Sequence, residues 1–166
     1  MIRRSMFILA RAVTYATLFA GLVLIFLPAR ILSWAGIARP AATGSWRVAG
    51  TLVGAAGAAL ALSCVFTFVF VGRGTPAPFD PPRRLVVQGP YRVVRNPMYL
   101  GAGFALAGAA LFHQSFALLW YIGALFLITH LFVVAYEEPT LRRTFGKNYE
   151  AYLGQTGRWW PRRSQF

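Results

Sequence analysis

The chain is poor in acid, in lysine and in cysteine. Of 166 residues only four are Asp or Glu, against seventeen Lys or Arg, for a formal net charge of +13. Lys147 is the single lysine and Cys64 the single cysteine, so no intramolecular disulfide can form. No cluster of His, Cys, Asp and Glu stands at ligand spacing, and no metal site is expected. A Gly-rich phosphate loop, a Rossmann fingerprint and a nucleophile triad are missing as well. Charged residues of all kinds make up only 13% of the chain, far below an ordinary soluble domain.

In their place are 57% hydrophobic and 16% aromatic residues, gathered into blocks. Residues 48–71 and 96–136 carry no Asp, Glu, Lys or Arg. About 20 apolar residues cross a bilayer core of about 30 Å, so the first block supplies one crossing and the second two, folded as a hairpin at His113-Gln114-Ser115. Helices are expected at 6–27, 48–71, 98–112 and 116–136. The fold class is thus an all-α integral membrane protein with about four transmembrane helices, one domain over residues 1–166. Met1-Ile2-Arg3-Arg4 has the charged start of a signal peptide. Arg11 interrupts the run that follows and no small-x-small cleavage site appears, so this helix is expected to be retained.

The net charge could suggest a nucleic-acid partner, but the cations lie between and beyond the apolar blocks, which excludes that reading. Thirteen of them fall on one side: Arg3 and Arg4, five in the loop 73–97, and six after Tyr136. Arg30, Arg39 and Arg47 fall on the other, and Arg11 can snorkel to the interface. The positive-inside rule then puts both termini and the central loop in the cytoplasm. An Arg-, Ala- and Gly-rich composition hints at a bacterial source and hence an inner membrane. Gly50, Gly54 and Ala58, and likewise Gly101, Ala105 and Ala109, form small-xxx-small faces that allow close helix approach and permit a homodimer. In a chain this rich in Ala and Gly they could equally be chance.

The four acidic residues, Asp80, Glu137, Glu138 and Glu150, share the expected cytoplasmic side with Tyr91, Tyr99, Tyr149, Tyr152, Trp159 and Trp160. Pro97 suits the first turn of a helix, whose amino-terminal amides would face an anion, and Arg92 and Arg95 would add a carboxylate clamp. A plainer reading is a solvated loop whose arginines fix topology and touch lipid headgroups. Two adjacent carboxylates, Glu137 and Glu138, at a membrane exit are costly unless paired or wet. Pro139 is read as restarting a helix. Leu141, Phe145, Tyr149 and Tyr152 recur at helical spacing, so 140–153 is an amphipathic segment that folds over the central loop or anchors at the interface. His130, alone on an apolar helix, reads as structural.

Two separated signatures give these features a family. Gly89-Pro90-Tyr91 with Arg95-Asn96-Pro97-Met98-Tyr99-Leu100-Gly101 resembles the Gly-Pro-Tyr…Arg-His-Pro-x-Tyr-x-Gly signature of isoprenylcysteine carboxyl methyltransferases and phospholipid methyltransferases. Glu137-Glu138, Leu141, Phe145-Gly146, Tyr149, Tyr152 and Arg158-Trp159-x-Pro161 resemble that family's carboxy-terminal block in order and spacing. The match runs from about Gly74 to Pro161, so residues 73–166 would form the methyltransferase-like core and 1–72 two flanking helices.

The resemblance implies a cytoplasmic pocket for S-adenosylmethionine, closed by the central loop and the carboxy-terminal segment. Its contacts would be Gln88, Gly89, Tyr91, Arg95, Asn96, Pro97, Tyr99, Leu100, Glu138 and Tyr149. Arg95, Glu137, Glu138 and Arg143 are the expected catalytic residues: an Arg for a carboxylate, a Glu for the cofactor's amino group or ribose. Asn96 replaces the family's His and cannot titrate near neutrality. The implied reaction is methyl transfer to a lipid-borne acceptor, first an isoprenylcysteine-type carboxylate, which needs no general base. Alternatives are a phospholipid amine, a small thiol, or a non-catalytic scaffold with a basic lipid-binding face.

Overall fold

The computed structural model describes residues 10, 14–15, 17–37, 44–72 and 84–162. The start of the first helix lies outside them, as do Arg3, Arg4, Arg11, Arg39, Arg73, Arg83, Asp80 and Arg163. The described chain is helical, with α1 at Thr17–Trp34, α2 at Ser45–Gly72, α3 at Pro97–His113, α4 at Phe116–Phe145 and α5 at Lys147–Gln155. Among the described residues there is no strand; an isolated parallel bridge joins Val94 to Gly157. Helices α1, α2 and α4 are long and apolar enough to span a membrane, and the 17-residue α3 is a shorter apolar helix beside them.

Two helices run past the ends expected from sequence, and both do so through a proline. α1 continues beyond Leu27 to Trp34, and α4 continues beyond Tyr136 to Phe145. A proline inside an α-helix loses one hydrogen bond and drives its ring into the carbonyl four residues back. Here a π-helical stretch precedes each one: Ala20–Phe26 before Pro28, and Val133–Glu137 before Pro139. The Leu27 amide donates to Leu22 O and the Glu138 amide to Val133 O, each one residue farther back than α geometry requires. The widened turn relieves the clash, so the helix is not broken. Pro139 therefore does not restart a helix, and Arg30 lies on α1 rather than in a loop.

The amphipathic segment expected over 140–153 is in fact two pieces. Thr140 to Phe145 belong to α4; the break falls at Gly146, whose φ of +51° favours glycine, and α5 begins anew.

The tightest packing in the molecule is between α2 and α3. A Cβ on Gly50 would stand 2.6 Å from Gly108 O, and one on Gly101 would stand 2.7 Å from Ala61 N. Gly57 and Gly108 are likewise pressed against facing backbone. The small faces are thus real, with one change of register: Gly57 and Gly108 fill the places expected of Ala58 and Ala109. Ala58 is exposed, and Ala109 packs elsewhere, near Leu32 and Leu118. This intramolecular use occupies the Gly50 and Gly54 face.

At one end, Leu32 of α1, Ala110 of α3 and Leu118 of α4 form a buried cluster, and the Tyr121 hydroxyl donates to Val23 O in α1's π stretch at 2.8 Å. Trp34, Trp46 and Trp120 stand exposed around this end, as residues of an interfacial belt do. At the other end, Cys64 of α2 packs with Val86 and Tyr91, and Tyr91 meets Phe68 edge-on at 5.3 Å. All the acidic residues described are at this second end.

Candidate active site

The site is assembled from three stretches: the turn before α3, the π stretch of α4, and the segment after α5. Gly89–Arg92 is a single 3-10 turn, and Tyr91 within it is buried. Its carbonyl accepts the Tyr152 hydroxyl at 2.6 Å, which docks α5 on the turn. Arg95 N–H donates to Gly157 O at 2.8 Å beside the Val94–Gly157 bridge, and Asn96 Nδ2 donates to Arg158 O at 3.2 Å. Asn96 is 6% exposed, so its amide holds the carboxy-terminal segment against the start of α3. Pro97 opens α3 as its first residue, as expected.

Glu138 is the centre of the charge network. Arg158 grips it bidentately, Nε to Oε1 at 2.7 Å and Nη2 to Oε2 at 2.9 Å. Arg95 Nη2 lies 3.4 Å from the same Oε1. A carboxylate 9% exposed is stable as an anion only if its charge is matched, and two guanidinium groups match it here. Arg158's own pKa is pushed further up, first by its hydrogen bonds to Glu138. Tyr149, 2% exposed, has its phenol pushed up to about 12, by desolvation first and by the nearby Glu138 charge second. It is therefore a neutral hydroxyl at physiological pH.

Glu137, one residue earlier, is treated differently. It accepts the Tyr99 hydroxyl at Oε2, 3.1 Å away, and among the described residues no guanidinium lies within ion-pair distance of it. Arg95 also has capacity left over: its Nε and Nη1 are buried and have no hydrogen-bond partner. A buried unmatched donor costs free energy, so such groups in a folded protein call for an explanation. The site therefore offers guanidinium donors of Arg95 without partners and, in Glu137, a carboxylate with no ion pair among the described residues.

Aromatic rings gather around the Trp159 indole. Trp159 Nε1 donates to His130 Nδ1 at 3.0 Å, with its ring 4.9 Å from Phe126 and 6.4 Å from Tyr99. His130, read from sequence as structural, is the anchor for this indole.

Of the residues expected in the site, Tyr91, Arg95, Asn96, Tyr99, Glu137, Glu138 and Tyr149 are linked directly or through one neighbour. Gln88 and Gly89 are exposed at the edge of the turn and Leu100 is half-buried on α3. Arg143 is exposed, and Arg142 beside it pairs with Glu150 at 3.1 Å on the surface. Arg158 and Trp159 appeared in the sequence as a topology-setting cation, an interfacial aromatic and parts of a motif, with no site role; their partners Glu138 and His130 are 20 and 29 residues away. No regular spacing reveals such pairs.

The chain's sequence matches the family model of the phospholipid methyltransferases over residues 46–148, more than half its length. No curated protein and no solved structure is significantly similar to it. The matched region spans α2, the turn, α3, α4 and the start of α5, and so holds the site residues up to Glu138, while Tyr149, Tyr152 and the Thr156–Trp160 segment lie beyond it. The chain belongs to the phospholipid methyltransferase family, a family of membrane methyltransferases.

Proposed function

We propose that this protein transfers a methyl group from S-adenosylmethionine to a lipid-borne acceptor at the end of the bundle that holds Glu137, Glu138 and Arg95. One observation carries the reading: Arg95, which contacts Glu138, keeps guanidinium nitrogens without partners, and the next carboxylate along the chain, Glu137, has no ion-pair partner among the described residues. That pair is complementary to a zwitterionic amino-acid group, the methionine end of this cofactor. The residues fit the group on that ground. Arg95 would give its carboxylate one of the donors left free at Nε and Nη1, and Glu137 would accept its ammonium. Glu138 is already matched by two arginines and serves as a positioning residue for both.

When bound, the cofactor supplies a methyl group activated on a sulfonium, so the chain's task is placement and exclusion of water. Trp159, Phe126 and Tyr99 form a wall that keeps bulk water from the charged cluster while facing the lipid phase. The Tyr99 hydroxyl holds Glu137 in one orientation. We assign the chemistry to residues 73–166, with α2 as the wall against which α3 is fixed. The excess of arginine at this end supports a cytoplasmic site in a bacterial inner membrane.

The acceptor has two readings. With both glutamates committed, a carboxylate acceptor of the isoprenylcysteine type fits because it needs no base. A phospholipid amine is supported by the family match; with Glu137 held by Tyr99 and the cofactor's ammonium, such an acceptor would lose its proton to water before attack. Incubating purified protein with methyl-labelled cofactor and a membrane lipid extract tests both. Label in the organic phase released by mild base identifies a methyl ester, and base-stable label an N-methyl headgroup. No transfer to any lipid by protein that binds the cofactor would overturn the lipid-acceptor reading.

A further inference from the structure

A second feature lies at the opposite end of the bundle, independent of the methyl-transfer reading. Arg47, Val48, Thr51 and Leu52 lie along one face of α2, at i, i+1, i+4 and i+5, and with Gly44 just before the helix and Phe112 of α3 they line a groove of about 540 Å³. The Phe112 wall is fixed by the helix contact already described: a Cβ on Gly50 would stand 2.6 Å from Phe112 N. Because that backbone is pressed onto α2, the ring is held beneath Arg47, whose guanidinium carbon sits 4.9 Å from its centroid.

Among the described residues Arg47 has no counterion. Its Nε is buried and has no hydrogen-bond partner, and His113 Nδ1, one residue beyond Phe112, is in the same condition. The sequence contains no acidic residue before Asp80. The described acids, Glu137, Glu138 and Glu150, belong to the other end of the molecule, where each meets its own partners. Below the guanidinium the groove turns apolar, with Val48 and Leu52 both more than half exposed. Exposed Trp34, Trp46 and Trp120 put this end at a membrane–water boundary. A single unmatched cation above an apolar stripe, at that depth, is the inverse of a lipid: an anionic head with a hydrocarbon chain below it.

We infer that this groove binds one anionic phospholipid from the leaflet opposite the active site, its phosphate on Arg47 and an acyl chain along Val48, Leu52 and Phe112. The guanidinium offers hydrogen bonds to a phosphate oxygen, which a zwitterionic lipid also carries; net negative charge adds attraction that none of the described acids lies near enough to oppose. The lipid would fill the angle between α2 and α3 and brace the end of their contact.

Full-length protein in neutral detergent, titrated with short-chain phosphatidylglycerol or phosphatidylcholine, tests this by native mass spectrometry and thermal unfolding. Wild type should retain one phosphatidylglycerol and melt higher with it than with phosphatidylcholine. Arg47→Gln should weaken phosphatidylglycerol retention about fivefold, the effect of one interfacial cation, and Arg47→Lys should recover most of it. Leu52→Trp, which fills the groove and keeps the charge, should lower retention of both lipids. Equal retention by wild type and Arg47→Gln, or a stabilisation that inorganic phosphate reproduces without lipid, would overturn the proposal. Because the groove lies at the far end from Glu138, S-adenosylmethionine binding by the Arg47 variants should match wild type. Failure of the methyltransferase reading therefore leaves this result interpretable.

Discussion

Arg95 and Arg47 each bury an Nε that has no partner, yet their surroundings share almost nothing. Arg95 stands beside Glu138, which also takes both donors of Arg158, within a network of Tyr, Asn and backbone bonds. Arg47 has only the face of Phe112 beneath it and exposed aliphatic side chains below. The same residue type at the two ends of one helical bundle is thus prepared for different company. At the acid-bearing end the network fixes the guanidinium and leaves part of it free, which suits a polar ligand needing orientation. At the end without described acids, the contact shown for the charge is a ring, which suits a mobile lipid headgroup.

Substitutions should separate the two ends by size of effect. Glu138→Ala leaves two guanidinium groups facing each other with no anion, and Arg95 is only 12% exposed. It should abolish methyl transfer and cost about 3 kcal/mol, read as reversible unfolding in mixed micelles. Gly108→Ala should come next. The new methyl has only Gly50 and Gly54 backbone to meet, so α2 and α3 must move apart, at a cost of about 1–3 kcal/mol. Its effect should spread to both ends, lowering lipid retention at Arg47 as well as methyl transfer. Trp159→Phe removes the hydrogen bond to His130 but keeps a ring against Phe126 and Tyr99. About 1 kcal/mol of stability should be lost, with water access to the site reported by faster methyl-donor hydrolysis. Smallest of all, Arg142→Ala breaks a pair whose side chains are 53% and 59% exposed. It should change stability by no more than about 0.5 kcal/mol and leave transfer intact.

The sequence showed the fold well where one rule acted alone. Apolar blocks bounded α2 and α3 to within three residues at each end, because hydrocarbon length sets them. The ends of α1 and α4 were misjudged for one shared reason. The expected helices ended before Pro28 and before Pro139, which was read as restarting a helix, and the π stretches that accommodate both prolines have no signature in composition. In the site, the same π stretch carries Glu137 and presents Glu138 just after it, so their division of labour was not legible. Tyr91, Arg95, Tyr99 and the glutamate pair could be named from motif order. That Asn96 would tie down the segment of Arg158 could not, because such a bond depends on how a carboxy-terminal segment folds back over 62 residues. The glycine face on α2 was partly legible: its first two positions held, while the third depends on the crossing geometry and fell to Gly57.

Calorimetric titration of S-adenosylmethionine into detergent-purified protein tests the central claim most directly, with Arg95→Gln and Arg47→Gln beside the wild type. Saturable binding is expected for wild type and Arg47→Gln, with affinity reduced about tenfold or more in Arg95→Gln, the loss of charge-assisted hydrogen bonds. Binding that is absent from folded wild type, or equally strong in Arg95→Gln, would contradict the account.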